Sequence, residues 1–349
     1  MHARRHASHN GVNIPHTPLL QQLGFGASSL GNLYAPVSDD EARATLERAW
    51  TRGLRHFDTA PHYGRGLSER RLGDMLRGRD GYSLSTKAGR LLHPDAAMGR
   101  GELHDGFQSP MPFRTSYDYS ADGILRSHEA SLHRLGLTHV DTLLVHDIGT
   151  MTHGTDNHRH WDALTSGGGL KALDRLRGEG SVTQIGVGVN EIDACLAVMA
   201  EIRIDTILIA GRYTLLDQSA LDRLLDACLA SGTQVWLAAP FNGGILVTGT
   251  QALMPIYDYA PASARIIAKV HAIETIAARH GVALPAIALQ FPLHHPAISK
   301  VIAGFRSADQ VEKAVDWMAH PISPDLWTDL KQAGILHDDA PIQPALPAG

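Results

Sequence analysis

Two cysteines in 349 residues, Cys195 and Cys228, exclude a disulfide framework and a Cys-based zinc site. Each falls in an apolar-periodic stretch, EIDACLAVM or LLDACLAS, that suits a buried small hydrophobe. Charge of one sign is also scarce: 31 Lys and Arg against 36 Asp and Glu give a formal net charge of −5. With no long run of either sign, the chain lacks the electrostatic footprint for nucleic acid or an anionic membrane. No stretch approaches the ~20 consecutive apolar residues of a membrane span. The opening MHARRHASHNGVNIPHTPLL has two arginines but no apolar core of a secretory signal, so a cytoplasmic location is expected. No Gly/Ser/Pro linker divides the chain. What is present is 44% hydrophobic residues, enough for a large core, and 21 histidines, which raise the question of a metal enzyme.

Short β-branched runs alternate with helical periodicity, as in a parallel α/β sheet. Eight strand candidates occur in order: LGFGASSL from Leu23, LRHFDTA from Leu54, YSLSTK from Tyr82, VDTLLVH from Val140, VTQIGVG from Val182, DTILIA from Asp205, QVWLAAP from Gln234 and KVIAG from Lys300. Between them lie helical segments such as SDDEARATLERAWTRG, capped by Ser38, and SADGILRSHEASLHRLG, running from Ser120 to Gly136. DALTSGGGLKALDRLRGEG, LLDQSALDRLLDACLASG and ASARIIAKVHAIETIAARHG have the same character. The pattern predicts a single (β/α)8 barrel over 13–337, with long βα loops at 88–119 and 147–160, an extra C-terminal helix near 324–334, and loose tails at 1–12 and 338–349. A Rossmann sheet is disfavoured: Gly24-Phe25-Gly26 and Gly186-Val187-Gly188 both lack the third glycine of the dinucleotide fingerprint.

In such a barrel the chemistry sits at strand C-termini. Asp58 and Tyr63 come after the second strand, Lys87 ends the third and His146 the fourth, so four complementary groups face one mouth. A phenol with a pKa of about 10 is a weak base near neutrality, and an ammonium beside it is expected to lower that value. Lys87 offers that charge, Asp58 offers Lys87 a counter-ion, and His146 offers a hydrogen bond to a substrate oxygen. This is a proton-transfer device for a carbonyl or alcohol carbon, the kind of site a hydride cofactor needs beside it.

The stretches GFGASSLG, HFDTAPHYG followed by LSERRLG, STKAGR, LLVH, QIGVGVN, APFNGGIL and VIAGFRSADQVEKAV resemble, in order and spacing over about 20–335, the aldo-keto reductases. The resemblance implies a catalytic tetrad of Asp58, Tyr63, Lys87 and His146, with Tyr63 as proton donor or acceptor, and NAD or NADP as cofactor. It places cofactor contacts at Gly26, Ala27, Ser28 and Asp58, at Asn190, at the loop Phe241, Asn242, Gly243 and Gly244, and at Gly304, Phe305, Arg306 and Gln310. HYGRGLSERRLG, KAGRLL, HDIGTMTHG and GRYTLLDQ are nearest the bacterial sugar and vitamin dehydrogenases of that family. These oxidise a ring hemiacetal, an aldose such as L-fucose or another D-threo-aldose, or pyridoxal, to a lactone.

Some positions depart from the family. Ala238 stands where a tyrosine usually stacks on nicotinamide, Gly188-Val189 replace the Ser-Asn pair for its carboxamide with Asn190 one place later, and Lys313-Ala314 replace a Glu-Asn pair near adenine. Gly304 replaces the lysine that many NADP-dependent members use for the 2′-phosphate, which leans the expectation to NAD. The partner is then a small sugar or aldehyde, with no nucleic acid or membrane. The rival readings are general aldehyde and ketone reduction, a metal-dependent barrel hydrolase using His146, His153, His158 and His160, and a non-catalytic nucleotide-binding subunit. No metal is expected, because the first strand ends in Ser28-Ser29 rather than paired histidines. His62, His93 and His104 are weighed as substrate-side residues; Trp161 and Trp236 are assigned to packing.

Overall fold

The structure is a computed structural model that describes residues 18–98 and 101–343. Eight parallel strands close a barrel in sequence order: β1 (Leu23–Gly26), β2 (His56–Asp58), β3 (Ser83–Ala88), β4 (Thr142–His146), β5 (Gln184–Val189), β6 (Thr206–Ala210), β7 (Gln234–Ala238) and β8 (Ile298–Gly304), with β1 beside β8. This is the expected (β/α)8 architecture. Helix starts obey local chemistry. Ser38 and Glu41 form a reciprocal capping box at helix Asp39–Thr51, Ser120 accepts from Gly123 N–H at helix Ala121–Leu135, and Gly136 ends that helix at φ +64.

The barrel interior is filled by Leu144, Leu208, Trp236 and Ile302, and the larger core lies between the strands and the helical shell. Gly186 is required by close packing: a Cβ there would stand 1.7 Å from the Thr206 carbonyl oxygen.

Several expectations are corrected. DALTSGGGLKALDRLRGEG is two helices, Asn157–Leu164 and Gly169–Gly178, broken where Gly168 turns to φ +83. LLDQSALDRLLDACLASG is helical only over Leu224–Ser231, after a 3-10 turn at Ser219–Asp222, because the Asp217 carboxylate takes the Ser219 N–H and hydroxyl. The 88–119 loop contains two small antiparallel pairs, Arg90–Pro94 with Phe113–Tyr117 and Leu103–His104 with Phe107–Gln108. The 147–160 loop is largely helical turns, including Thr150–His153.

The C-terminal helix spans Pro324–Gln332, as expected. The chain beyond it is not a free tail as far as Ala340, which is 1% exposed and accepts from Lys331 Nζ. The expected N-terminal tail and residues 344–349 lie outside the described residues. Among the described residues no single helix is long and apolar enough to cross a membrane.

Candidate active site

β1 turns into a 3-10 helix, Ala27–Gly31, at the barrel mouth, and the turn after β2 packs directly on it. Gly64 sits at φ +63 with the Gly31 carbonyl oxygen 2.5 Å from where its Cβ would be; a Cβ on Gly31 would lie 2.5 Å from the Tyr63 carbonyl carbon. Two glycines thus set the height of Tyr63. A buried relay ties the same turn down: Thr59 Oγ1 pairs with Ser68 Oγ, which donates to the Ala27 carbonyl, both at 2.8 Å.

Asp58, at the end of β2, is 3% exposed, and Lys87, on β3, is 1% exposed. Lys87 Nζ donates to Asp58 Oδ2 at 2.8 Å, Oδ1 at 3.0 Å and the Thr59 carbonyl at 2.9 Å, and Ser85 Oγ donates to Asp58 Oδ1 at 2.7 Å. Every ammonium proton and three carboxylate acceptor sites are therefore used, which is what lets the pair leave water. Lys87 Nζ also lies 4.7 Å from the centroid of the Tyr63 ring, whose centroid is 5.9 Å from that of His146. The four predicted residues converge on one cluster.

The electrostatics correct one expectation. Burial drives the Tyr63 phenol up to about 12; Lys87 pulls it down, but the counter-ion Asp58 pushes back. An ammonium alone would lower the phenol, as expected; desolvation and the partner that neutralises the ammonium reverse the sign. Burial opposes the Lys87 charge too, but Asp58 and then Tyr63 outweigh it and raise its pKa. Burial, with Arg90 and Lys87, holds His146 well below the usual imidazole range, so it is a neutral hydrogen-bonding group.

Around the rim, Gly26 pairs in register with Gly304 on one side and Asp58 on the other. A Cβ on the exposed Gly304 would meet no atom closer than Ser29 Oγ at 3.4 Å, and Ser28 Oγ lies 4.0 Å off. After β7, which neighbours β8, Asn242, Gly243 and Gly244 succeed one another at φ +46, +79 and +107, and the buried Asn242 Oδ1 has no partner. A small-residue cradle beside Ala27 and an unsatisfied polar turn fit a nucleotide cofactor with phosphates near the turn.

The other predicted contacts differ in what they present. Phe241 packs edge-on to Trp317. Asn190, at the end of β5, accepts from Arg212 Nε through its carbonyl. Phe305 is buried against Phe25, leaving only its backbone for a ligand. Arg306 Nη2 donates to the Leu33 carbonyl at 2.6 Å, tying the end of β8 to the chain after the Ala27–Gly31 turn, and Gln310 Oε1 takes the Arg306 N–H within its own loop.

Sequence reasoning missed the residues that cover the substrate side. Arg65 donates to the Phe113 carbonyl and to Asp105, and Leu33 bridges Phe107, which pins the insertion over the mouth. Phe107 thereby meets His62 at 5.1 Å and Tyr63 at 6.3 Å between ring centroids. Arg90 binds both His62 and Asp147; the one signal for it was a charged residue one glycine beyond the strand that carries Lys87. Of the histidines weighed, His62 lines the site, His93 pairs with Ser116 and His104 with Glu102. His153 stacks on His160 at 4.0 Å and bonds Tyr119, whose hydroxyl donates to the His146 carbonyl. Among the described residues no three His, Cys, Asp or Glu gather to hold a metal ion.

Comparison with known proteins accords with this geometry. The Aldo/keto reductase family matches residues 22–335. Pyridoxal 4-dehydrogenase of Microbacterium luteolum is 41% identical over 90% of this chain and 94% of its own length. D-threo-aldose 1-dehydrogenase of a Pseudomonas species is 38% identical, with the same shares covered. An aldo-keto reductase from Bacillus halodurans, solved in its holo form, superposes with a TM-score of 0.67 at 21% identity over 93% of this chain and 94% of that one, a likeness of fold.

Proposed function

This chain belongs to the aldo/keto reductase family and is an oxidoreductase that uses NAD(P)(H), and from that premise we propose that it oxidises a cyclic hemiacetal, an aldose or pyridoxal, at its anomeric carbon to a lactone. The observation that carries this reading is that two of its similar relatives are named for pyridoxal and for D-threo-aldoses. Those molecules share little except that each closes to a ring hemiacetal.

NAD(P), when bound, would supply the hydride acceptor, and Gly26, Ala27, Ser28, Asn190, the turn Phe241–Gly244 and the backbone near Gly304 would hold it. Tyr63 takes the proton of the anomeric hydroxyl as general base, and His146, neutral, fixes that oxygen through a hydrogen bond. Lys87 stabilises charge as it develops on the phenol oxygen, and Asp58 holds Lys87 in place without discharging it. With a phenol pKa near 12 in the free protein, a preformed phenolate is scarce at neutrality. The small phenolate fraction is therefore the form that takes the anomeric proton, and oxidation gains with pH as that fraction grows. The same protonated phenol suits proton donation to a carbonyl, which supports general aldehyde reduction as the second reading.

Gly304 in place of a lysine, with Arg306 Nη2 engaged by the Leu33 carbonyl, favours NAD. A panel of L-fucose, D-arabinose, L-galactose and pyridoxal, each with NAD⁺ and with NADP⁺, tests the reading when products are identified by NMR. Lactone formation with higher kcat/KM for NAD⁺ is expected; reduction of simple aldehydes with no hemiacetal oxidation would defeat it.

A further inference from the structure

The proton-transfer group leaves unexplained a buried arginine on its substrate side. Arg90 opens the Arg90–Pro94 strand, is 8% exposed, and lies 4.8 Å from the ring centroid of Tyr117, its register partner. Nη2 donates to Asp147 Oδ2 and Nη1 to His62 Nδ1 at 3.2 Å. A guanidinium only donates, so Nδ1 of His62 is bare and its proton sits on Nε2. Burial, and then Arg90, keep that ring neutral, down to a pKa of about 3.

Asp147 takes the left-handed conformation at φ +51, which turns its carboxylate beside His146. Oδ2 is 3.5 Å from His146 Nε2, too long for a strong bond. Oδ1 has no hydrogen-bond partner among the described residues, and the side chain is 22% exposed. The His62 and His146 rings lie 6.0 Å apart, with Phe107 edge-on to His62. Next to the group that handles the reacting oxygen there is thus one fixed acceptor, one fixed donor and an aromatic wall, and one arginine orients both polar members.

We propose that Arg90 is a positioning residue that sets Asp147 and His62 as a clamp for the hydroxyl on the carbon beside the reacting one, so that the substrate is an aldose bearing a 2-hydroxyl. This rests on the hemiacetal-oxidation reading. The 2-hydroxyl donates to Asp147 and accepts from His62 Nε2. Oxygens on neighbouring carbons stand about as far apart as a hydrogen-bonded pair, ~2.8 Å, so one seated at His146 brings the other to Asp147.

The test is kcat/KM for D-arabinose against 2-deoxy-D-ribose, which differ only in the 2-hydroxyl, and for L-galactose against 2-deoxy-L-galactose, in wild type, Arg90→Lys and Asp147→Asn. A site built to hydrogen-bond a hydroxyl rejects the analogue lacking it strongly, so wild type is expected to prefer the hydroxylated sugar by ~100-fold or more. Both substitutions are expected to shrink that ratio by ~10-fold or more. A ratio taken within one preparation cancels the fraction of active enzyme, so partial misfolding cannot mimic the result. Equal use of both sugars by wild type, or an unchanged ratio in both variants, overturns the clamp while leaving hemiacetal oxidation standing. Oxidation of pyridoxal with neither sugar used overturns it as well. Failure to oxidise any hemiacetal removes the functional reading itself.

Discussion

Replacing Lys87 by methionine keeps most of the stem and removes the charge, at a cost to both stability and turnover. Asp58 loses the donor that binds both its oxygens, at 2.8 and 3.0 Å, and keeps Ser85 Oγ at 2.7 Å while remaining 3% exposed. A carboxylate stranded in this way costs about 3–5 kcal/mol. The scale agrees with about 4 kcal/mol for unit charges 4 Å apart at an effective dielectric near 20. For a chain of this size that lowers the melting temperature by about 4–7 °C. Activity falls by a separate route. Lys87 is the chief influence pulling the Tyr63 phenol down against burial, so oxidation should lose ~1000-fold or more in kcat/KM. Adding Asp58→Asn removes the stranded charge with its partner and should return most of the stability without the activity. Thermal melts monitored by circular dichroism, beside turnover monitored by nicotinamide absorbance, read both quantities. A single variant as stable as wild type, or a double variant that recovers activity, would refute the reasoning.

Gly31→Ala places a methyl 2.5 Å from the Tyr63 carbonyl carbon and 2.6 Å from Gly64 N. The turn must shift, and kcat is expected to fall ~100-fold with little change in cofactor affinity by fluorescence titration; unchanged kcat would show that the two glycines do not set the position of Tyr63. With its phenol near 12, kcat/KM for oxidation should climb about tenfold per pH unit from about pH 7 toward pH 10, and a plateau already at neutrality would contradict the burial argument. Because His146 titrates well below the usual range, reduction of an aldehyde should show no acid-side loss near pH 6.5, the ordinary imidazole value; a limb there would mean a charged imidazole.

The barrel was legible because its signals are local. β-branched runs marked the strands, Ser38, Ser120 and Gly136 marked helix ends, and Asp58, Lys87 and His146 are polar residues at the ends of apolar strands, where a barrel puts its chemistry. The helical break at Thr165–Gly168 was hidden because flanking periodicity continues across it. The hairpins of the insertion were hidden because their short, mixed strands pair across 23 residues in the case of His93 and Ser116. Arg90 opens that pairing, and Phe107 reaches the site through its bridge to Leu33, 74 positions away. The sign of the Tyr63 shift was out of reach for another reason: it depends on how much solvent the fold excludes and on Asp58 neutralising Lys87, and both are properties of assembled geometry. The 21 histidines resolve into different roles: neutral His146 and His62 at the mouth, His56 inside the barrel against Trp236, and His153 and His160 stacked at the rim.

The central claim is that the Tyr63 hydroxyl moves the proton while the rest of the site holds cofactor and substrate. Tyr63→Phe deletes that oxygen and leaves the ring against Phe107 and His146. Measured with the best hemiacetal from the panel, the variant should lose turnover by ~1000-fold or more, with its NAD⁺ dissociation constant within ~2-fold of wild type by tryptophan fluorescence. Turnover retained to within ~10-fold, with cofactor bound as before, would contradict the account.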